Sequence, residues 1–126
     1  MSQQWKTRIG WAITAVAALP FVPSAWMKLK GDPQVIEGMA KMGFPDSMRL
    51  PLGVLELVCL VLYLFPQTAV LGAVLLTGYL GGAICTHWRA GESVIFPALL
   101  GGVVWLGIYL REPRLWPLLP WRKPAA

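Results

Sequence analysis

The chain alternates between long apolar stretches and short polar connections. Four apolar segments stand out, at Ile9–Met27, Leu50–Phe65, Thr68–His87 and Val94–Leu110. Helices of about 16 to 20 residues, rising about 1.5 Å per residue, match a hydrocarbon core of about 30 Å, and the second segment is near the minimum length. The pattern lacks the alternation of a soluble sheet. It predicts an all-α fold, a four-transmembrane-helix bundle running up-down-up-down as one membrane domain over residues 1–126.

The connections refine this picture. Pro66–Thr68 and Trp88–Ser93 are short turns, and short turns make neighbouring helices antiparallel. The longest connection, Lys28–Arg49, mixes charged residues with methionine, phenylalanine and proline. Within it, a short interfacial helix around Pro33–Met42 is favoured, with Asp32 as its N-cap. Such a helix would cover the outer mouth of the bundle.

Composition and charge place the chain in the membrane class. Of its 126 residues, 56% are hydrophobic and only 13% charged. Aromatic residues cluster near the ends of the apolar segments, as interfacial anchors do: Trp5, Trp11, Trp26, Trp88, Tyr109, Trp116 and Trp121. The net charge is +5, but the basic residues occur in ones and twos rather than in a continuous stripe. This distribution argues against nucleic-acid binding and leaves the lipid bilayer as the expected partner.

Basic residues also predict orientation. Six flank the terminal side of the segments (Lys6, Arg8, Arg111, Arg114, Arg122 and Lys123) and five the opposite side (Lys28, Lys30, Lys41, Arg49 and Arg89). The small excess favours cytoplasmic termini in a bacterial-type inner membrane. A cleavable signal peptide is the alternative for the first segment, but Pro23 is poorly suited to a cleavage site, and the run is long enough for a span.

Glu56 is the most informative single residue. It is the only carboxylate inside Leu50–Phe65, where the centre of a bilayer is expected. A carboxylate in hydrocarbon must be protonated, paired with a cation or exposed to a watery cavity. Glu56 therefore predicts either a structural ion pair or a site that handles a ligand or a proton.

Two basic side chains are candidate partners for Glu56. Side chains on a helix lean towards its N-terminus, so Lys28 and His87, near the outer ends of their helices, lean into the membrane while Glu56 leans outward. A Lys28–Glu56 or a His87–Glu56 pair, direct or through water, is consistent with this geometry. Equally, Lys28 and His87 are consistent with interfacial residues that only anchor the helix ends.

Small residues surround the depth of Glu56: Gly53, Gly78, Gly81, Gly82, Gly101 and Gly102. Gly78 and Gly82 form a G-x-x-x-G spacing, which ordinarily lets helices pack closely. The alternative is that the missing side chains leave room for a ligand beside Glu56, with Tyr79 or Thr86 supplying a hydrogen bond.

Metal and disulfide chemistry is not indicated. The chain has one histidine, so a multi-histidine metal or haem site is excluded, and no second carboxylate lies near Glu56. Cys59 and Cys85 fall at different predicted depths, about 16 Å and about 5 Å along their helices, which makes a disulfide between them improbable.

The residues that carry these arguments resemble a known family. They are Lys28 and Gly31, Gly53 and Glu56, the run Leu71–Ala83 leading to Thr86 and His87, and Trp105–Arg111. From about Ala12 to Pro120 the chain resembles the DoxX-like family of small four-helix membrane proteins, whose relatives include a small subunit of a thiosulfate:quinone oxidoreductase, membrane partners of redox enzymes and maturation factors. The resemblance implies that Lys28, Glu56 and His87 are the polar positions that matter.

Three functions remain open from the sequence. The first is a protein that binds a small lipophilic molecule, such as a quinone, or assists a redox partner through a pocket around Glu56. The second is a proton-coupled permease or exporter, which would need a homo-oligomer because four helices enclose little of a pathway. The third is an assembly subunit whose glycine faces dock a larger partner. No flavin fingerprint or redox cysteine pair accompanies them, so stand-alone enzymatic activity is not expected.

Overall fold

The computed structural model describes residues 2–122 and 124, and within them every regular element is helical. The α-helices are α1 (Gln3–Lys30), α2 (Pro33–Lys41), α3 (Arg49–Leu64), α4 (Ala69–Arg89) and α5 (Ile95–Arg111). Short 3-10 turns precede α3 at Asp46–Met48 and follow α5 at Pro113–Leu115. The all-helical prediction is confirmed.

Helix α1 is longer than its apolar segment predicts. It begins after Ser2, whose side chain accepts a hydrogen bond from the Trp5 amide at 3.3 Å, so the polar N-terminal residues continue the helix. It ends at Gly31, which adopts a left-handed conformation (φ 77°) while its amide bonds to the Met27 carbonyl. The helix therefore extends beyond the apolar segment Ile9–Met27 at both ends, because both caps lie outside the apolar run.

Helix α2 confirms the predicted short helix between the first two apolar segments. Asp32 caps it by accepting a hydrogen bond from the Gln34 amide at 2.9 Å, and Pro33 occupies the first turn, where a missing N–H costs nothing. None of its residues is buried, so α2 lies on the bundle rather than within it.

The other four helices pack as a ring. Helix α1 contacts α3 and α5, and α4 contacts the same two helices. Between them, the half of the bundle near the chain termini is tightly packed. Tyr63 is fully buried there and donates a hydrogen bond to the Val104 carbonyl at 2.7 Å.

Two glycines make this packing possible. A β-carbon at Gly107 would lie 2.7 Å from the Tyr63 hydroxyl, and one at Gly72 would lie 2.7 Å from the carbonyl carbon of Leu62. Since real β-carbons do not come so close to other atoms, only glycine lets α4 approach α3, and lets α5 pack on the Tyr63 side chain, in this half.

The outer surface of the bundle is that of a membrane protein. Helices α1 and α4, and Asp46–Leu64 with α3, are long and apolar enough to cross a membrane, and α5 is a shorter apolar helix of 17 residues. Their outward faces expose large aliphatic side chains such as Val16, Leu19 and Val74. Exposed side chains of this kind are stable against lipid tails and unfavourable against water.

Candidate functional site

The half of the bundle opposite the termini is hollow. A cavity of about 720 Å³ lies between α1, α3, α4 and α5. Its walls are largely apolar and include Pro20, Phe21, Leu52, Leu55, Leu80, Ala83, Phe96, Pro97 and Leu100. Helix α2 and the residues after it cover one end with Val35, Gly38, Met39, Met42 and Phe44. The volume lies within the range of pockets that enclose drug-sized ligands.

Glu56 carries the polar centre of this cavity. Its side chain is 3% exposed, and Oε1 accepts hydrogen bonds from Lys28 Nζ at 3.0 Å and from Ser24 Oγ at 3.1 Å. Lys28 Nζ also donates to Ser24 Oγ at 2.8 Å, which closes a triangle of three side chains. Both donors bond to Oε1, so neither of these hydrogen bonds uses Oε2. The carboxylate lines the cavity and can therefore accept a further hydrogen bond through Oε2.

Local sequence explains why this triangle forms. Ser24 and Lys28 are four residues apart on α1 and therefore lie on the same helix face. Gly53 on α3 allows close approach, since a β-carbon there would lie 3.0 Å from Lys28 Cβ. The Lys28 stem is thus pressed against α3 one turn before Glu56, and its ammonium points along the helix towards the carboxylate.

Lys28 and His87 are the two basic side chains that the sequence predicts as partners of Glu56, and the structure pairs Glu56 with Lys28. His87 also lines the cavity, but its Nδ1 lies 2.7 Å from the Ala83 carbonyl oxygen one turn earlier on α4. Because a carbonyl only accepts, Nδ1 carries the hydrogen and Nε2 is the nitrogen left to other partners. His87 lies eight residues beyond Tyr79, or about 12 Å along α4, nearer the mouth.

Tyr79 and Thr86 both line the cavity on α4. Tyr79 lies seven residues, or about 10 Å, deeper along α4 than Thr86, so it belongs to the deep polar end. The Thr86 hydroxyl donates to the Gly82 carbonyl at 2.8 Å, within its own helix. All five polar residues singled out from the sequence therefore line one cavity, with Glu56, Lys28 and Tyr79 deepest.

The six glycines predicted near Glu56 fall into two groups, those packed against a neighbouring side chain and those with open space beside them. Gly53 packs against Lys28 and Leu29, and Gly101 against Leu80, whereas a β-carbon at Gly78, Gly81, Gly82 or Gly102 would meet no atom within 4 Å. No neighbouring helix of this chain therefore packs against these four positions. Gly78 and Gly82 line the cavity instead.

Sequence reasoning missed several residues of the site. Ser24 bridges Lys28 and Glu56, and only its spacing of four from Lys28 signalled this. Arg49 Nη1 donates to the Lys28 carbonyl, and Arg89 Nη2 donates to the Met42 carbonyl at 2.8 Å. Arg49 thus ties the start of α3 to the end of α1, and Arg89 ties the residue after α2 to the end of α4. Both contacts depend on the three-dimensional arrangement and have no signal in the sequence.

Cysteines and metal-binding groups contribute little to the cavity. Cys59 is buried and Cys85 exposed, and both are free thiols. Among residues 2–122 and 124, no cluster of three or more His, Cys, Asp or Glu side chains is arranged to hold a metal ion.

A sequence profile of the DoxX-like family matches residues 12–107, which is more than half of the chain. The chain belongs to the DoxX-like family. The matched region contains Ser24, Lys28, Glu56, Tyr79 and His87, so the whole polar part of the cavity lies in the family region. Searches among curated proteins and among solved structures gave no match to this DoxX-like chain.

Proposed function

We propose that this DoxX-like membrane protein binds a small lipophilic molecule of the quinone type in the cavity around Glu56, on its own or for a membrane redox partner. The observation that carries the proposal is a largely apolar cavity of about 720 Å³ that contains one buried, oriented carboxylate. Apolar walls with a few placed polar groups are typical of sites for such ligands.

Each polar residue has a role in this proposal. Glu56 Oε2 accepts a hydrogen bond or a proton from the ligand, while Lys28 and Ser24 hold Oε1 and fix the orientation of the carboxylate. Tyr79 offers a hydroxyl beside the same polar end. His87, nearer the mouth, relays protons between the cavity and the outer surface. No covalent step is required of the chain.

The proposal extends to placement in the membrane. The connections between α3 and α4 and between α4 and α5 are short, which favours an up-down-up-down course for the four long helices. With the termini in the cytoplasm of an inner membrane, the cavity and α2 lie in the outer half. His87, at the outer end of the cavity, then lies near the external surface.

A binding measurement tests the proposal. The protein is reconstituted in lipid nanodiscs, and quenching of its tryptophan fluorescence by a short-tailed quinone gives a Kd for wild type, Glu56→Gln and the control Glu92→Gln. Glu92 is an exposed carboxylate in the connection before α5. Loss of a charge-assisted hydrogen bond should weaken binding about tenfold or more in Glu56→Gln and leave Glu92→Gln unchanged.

Two results would contradict the proposal. The first is equal affinity of wild type and Glu56→Gln in folded protein. The second is a protein partner that co-purifies with both from native membranes while neither binds the quinone, which would favour an assembly subunit instead.

A further inference from the structure

The cavity reaches the lipid-facing surface between α3 and α4. Residues that both line a cavity and are exposed mark the places where it opens. Ser93 and Phe96 do so at the start of α5, and three further such residues lie together between α3 and α4. Leu55 on α3 is 48% exposed, and Gly78 and Gly82 on α4 are exposed without a neighbour within 4 Å of a β-carbon position. Gly82 lies one helical turn beyond Tyr79, which lines the same cavity as Glu56 on α3. We call Leu55, Gly78 and Gly82 the lateral opening.

The depth of the lateral opening places it in the hydrocarbon region. Glu56 lies seven residues after the start of α3, and Gly82 lies seven residues before the end of α4, so each is about 10 Å from the same end of the bundle. Gly78 is about 16 Å from that end. Because the hydrocarbon core is about 30 Å thick, this opening faces lipid tails rather than water.

The end of the cavity on the α2 side is covered. Helix α2 and its following turn place Met39, Met42 and Phe44 over the end of the cavity, and Arg89 holds this segment to the end of α4. A molecule dissolved in the bilayer meets no such cover at the lateral opening.

From this arrangement we infer that the ligand is a chain-bearing amphiphile that enters from the bilayer, with its polar head at Glu56 and its apolar tail leaving between Leu55 and the Gly78/Gly82 edge of α4. The inference rests on the proposed function. It adds the class of ligand, an amphiphile with a long tail. The volume of such a tail exceeds that of the cavity, about 720 Å³, so the tail must continue into the lipid through the lateral opening.

Glycine is the residue that such a path requires. A β-carbon added at position 78 or 82 would meet no atom within 4 Å, so a side chain can start at the opening without a clash at its base. Leucine at either position should therefore fold normally and obstruct the tail. Gly81, also open but absent from the cavity wall, provides a matched control on the same helix.

The test compares two tail lengths in nanodiscs, with quinone concentrations expressed per lipid. A quinone with a short isoprenoid tail and the same quinone with a long tail are titrated into wild type, Gly78→Leu, Gly82→Leu and Gly81→Leu. We expect Gly78→Leu and Gly82→Leu to lower the affinity for the long-tailed quinone about tenfold relative to the affinity for the short-tailed one. Gly81→Leu should leave this ratio at the wild-type value.

The inference and the proposed function fail in different ways. If the short-tailed quinone binds in a Glu56-dependent manner but neither Gly78→Leu nor Gly82→Leu changes the ratio, the tail does not use the lateral opening. The same conclusion follows if Gly81→Leu changes the ratio equally. If neither quinone binds wild type in a Glu56-dependent manner, the proposed function itself is wrong.

Discussion

Lys28 and Glu56 form an ion pair that joins the last turns of α1 to the middle of α3, with Nζ 3.0 Å from Oε1. The two ends of the pair differ in environment. The Lys28 side chain is 15% exposed at the end of its helix, whereas that of Glu56 is 3% exposed beside an apolar cavity. Removing the lysine therefore leaves the more deeply buried charge, the Glu56 carboxylate, without a cation.

This asymmetry predicts an order of stabilities. Lys28→Met should destabilise the protein by about 2 kcal/mol because the buried carboxylate loses its cation. Glu56→Gln should cost less, about 1 kcal/mol, since the amide oxygen still accepts hydrogen bonds from Lys28 and Ser24. Thermal unfolding of the detergent-solubilised variants measures the order. In the double variant Lys28→Met/Glu56→Gln, part of the loss should be recovered, and a strictly additive double variant would contradict coupling.

A second prediction concerns the packed half of the bundle. Gly72→Ala should destabilise the protein by about 2 kcal/mol or more, because the added β-carbon overlaps the Tyr63 backbone and forces α3 and α4 apart. Gly102→Ala is the matched control on α5, where no atom lies within 4 Å. It should be neutral or stabilising by up to about 1 kcal/mol, since alanine favours the helix. Similar melting temperatures for the two variants would contradict this packing.

These glycines show where sequence reasoning stops. The four apolar segments and the Asp32 cap could be predicted because length, hydropathy and capping are local properties. The sequence also narrowed the partners of Glu56 to Lys28 and His87. It could not separate Gly72, which is packed against α3, from Gly81, which is open, since both stand in similar apolar surroundings along one helix.

The difference between such glycines depends on how the helices cross. Where α4 approaches α3, near Tyr63, glycine is required for contact. Further along, beside Glu56, the cavity separates the helices and glycine leaves space. A G-x-x-x-G spacing predicts close packing whether its glycines lie at a helix contact or beside a cavity. Only the three-dimensional arrangement shows that Gly78 and Gly82 are part of a cavity wall.

A third prediction addresses the buried Arg111 near the termini. Its guanidinium donates to the Tyr63 carbonyl and lies over the ring of Trp11, 4.3 Å from the centroid. Lysine lacks the planar group that makes both contacts, so Arg111→Lys should destabilise the protein by about 1 kcal/mol. Arg114→Lys is the control, because the Arg114 side chain is 92% exposed and its ion pair with Glu112 contributes little. Thermal unfolding of both variants checks the difference.

A fourth prediction tests the attachment of α2. Arg89→Met removes the hydrogen bond to the Met42 carbonyl, which ordinarily contributes about 0.5–1.5 kcal/mol. Backbone amides of residues 34–42 should then exchange with deuterium about threefold to tenfold faster. Amides of α5 serve as the internal control and should exchange at the wild-type rate. Unchanged exchange in residues 34–42 would mean that Arg89 does not hold this segment.

The last prediction tests the proposed orientation, on which external access to His87 depends. Gln67 lies in the turn between α3 and α4, and Ser93 lies in the connection between α4 and α5, so the two exposed positions are at opposite ends of α4. In a Cys85→Ser background, Ser93→Cys should react with a membrane-impermeant maleimide in intact bacterial cells that express the protein. Gln67→Cys should react only after the cells are permeabilised. Buried Cys59 is retained in both, and the background protein alone measures its reactivity. The reverse labelling pattern would put the α2 side of the cavity in the cytoplasm, so that the His87 end would exchange protons with the cell interior.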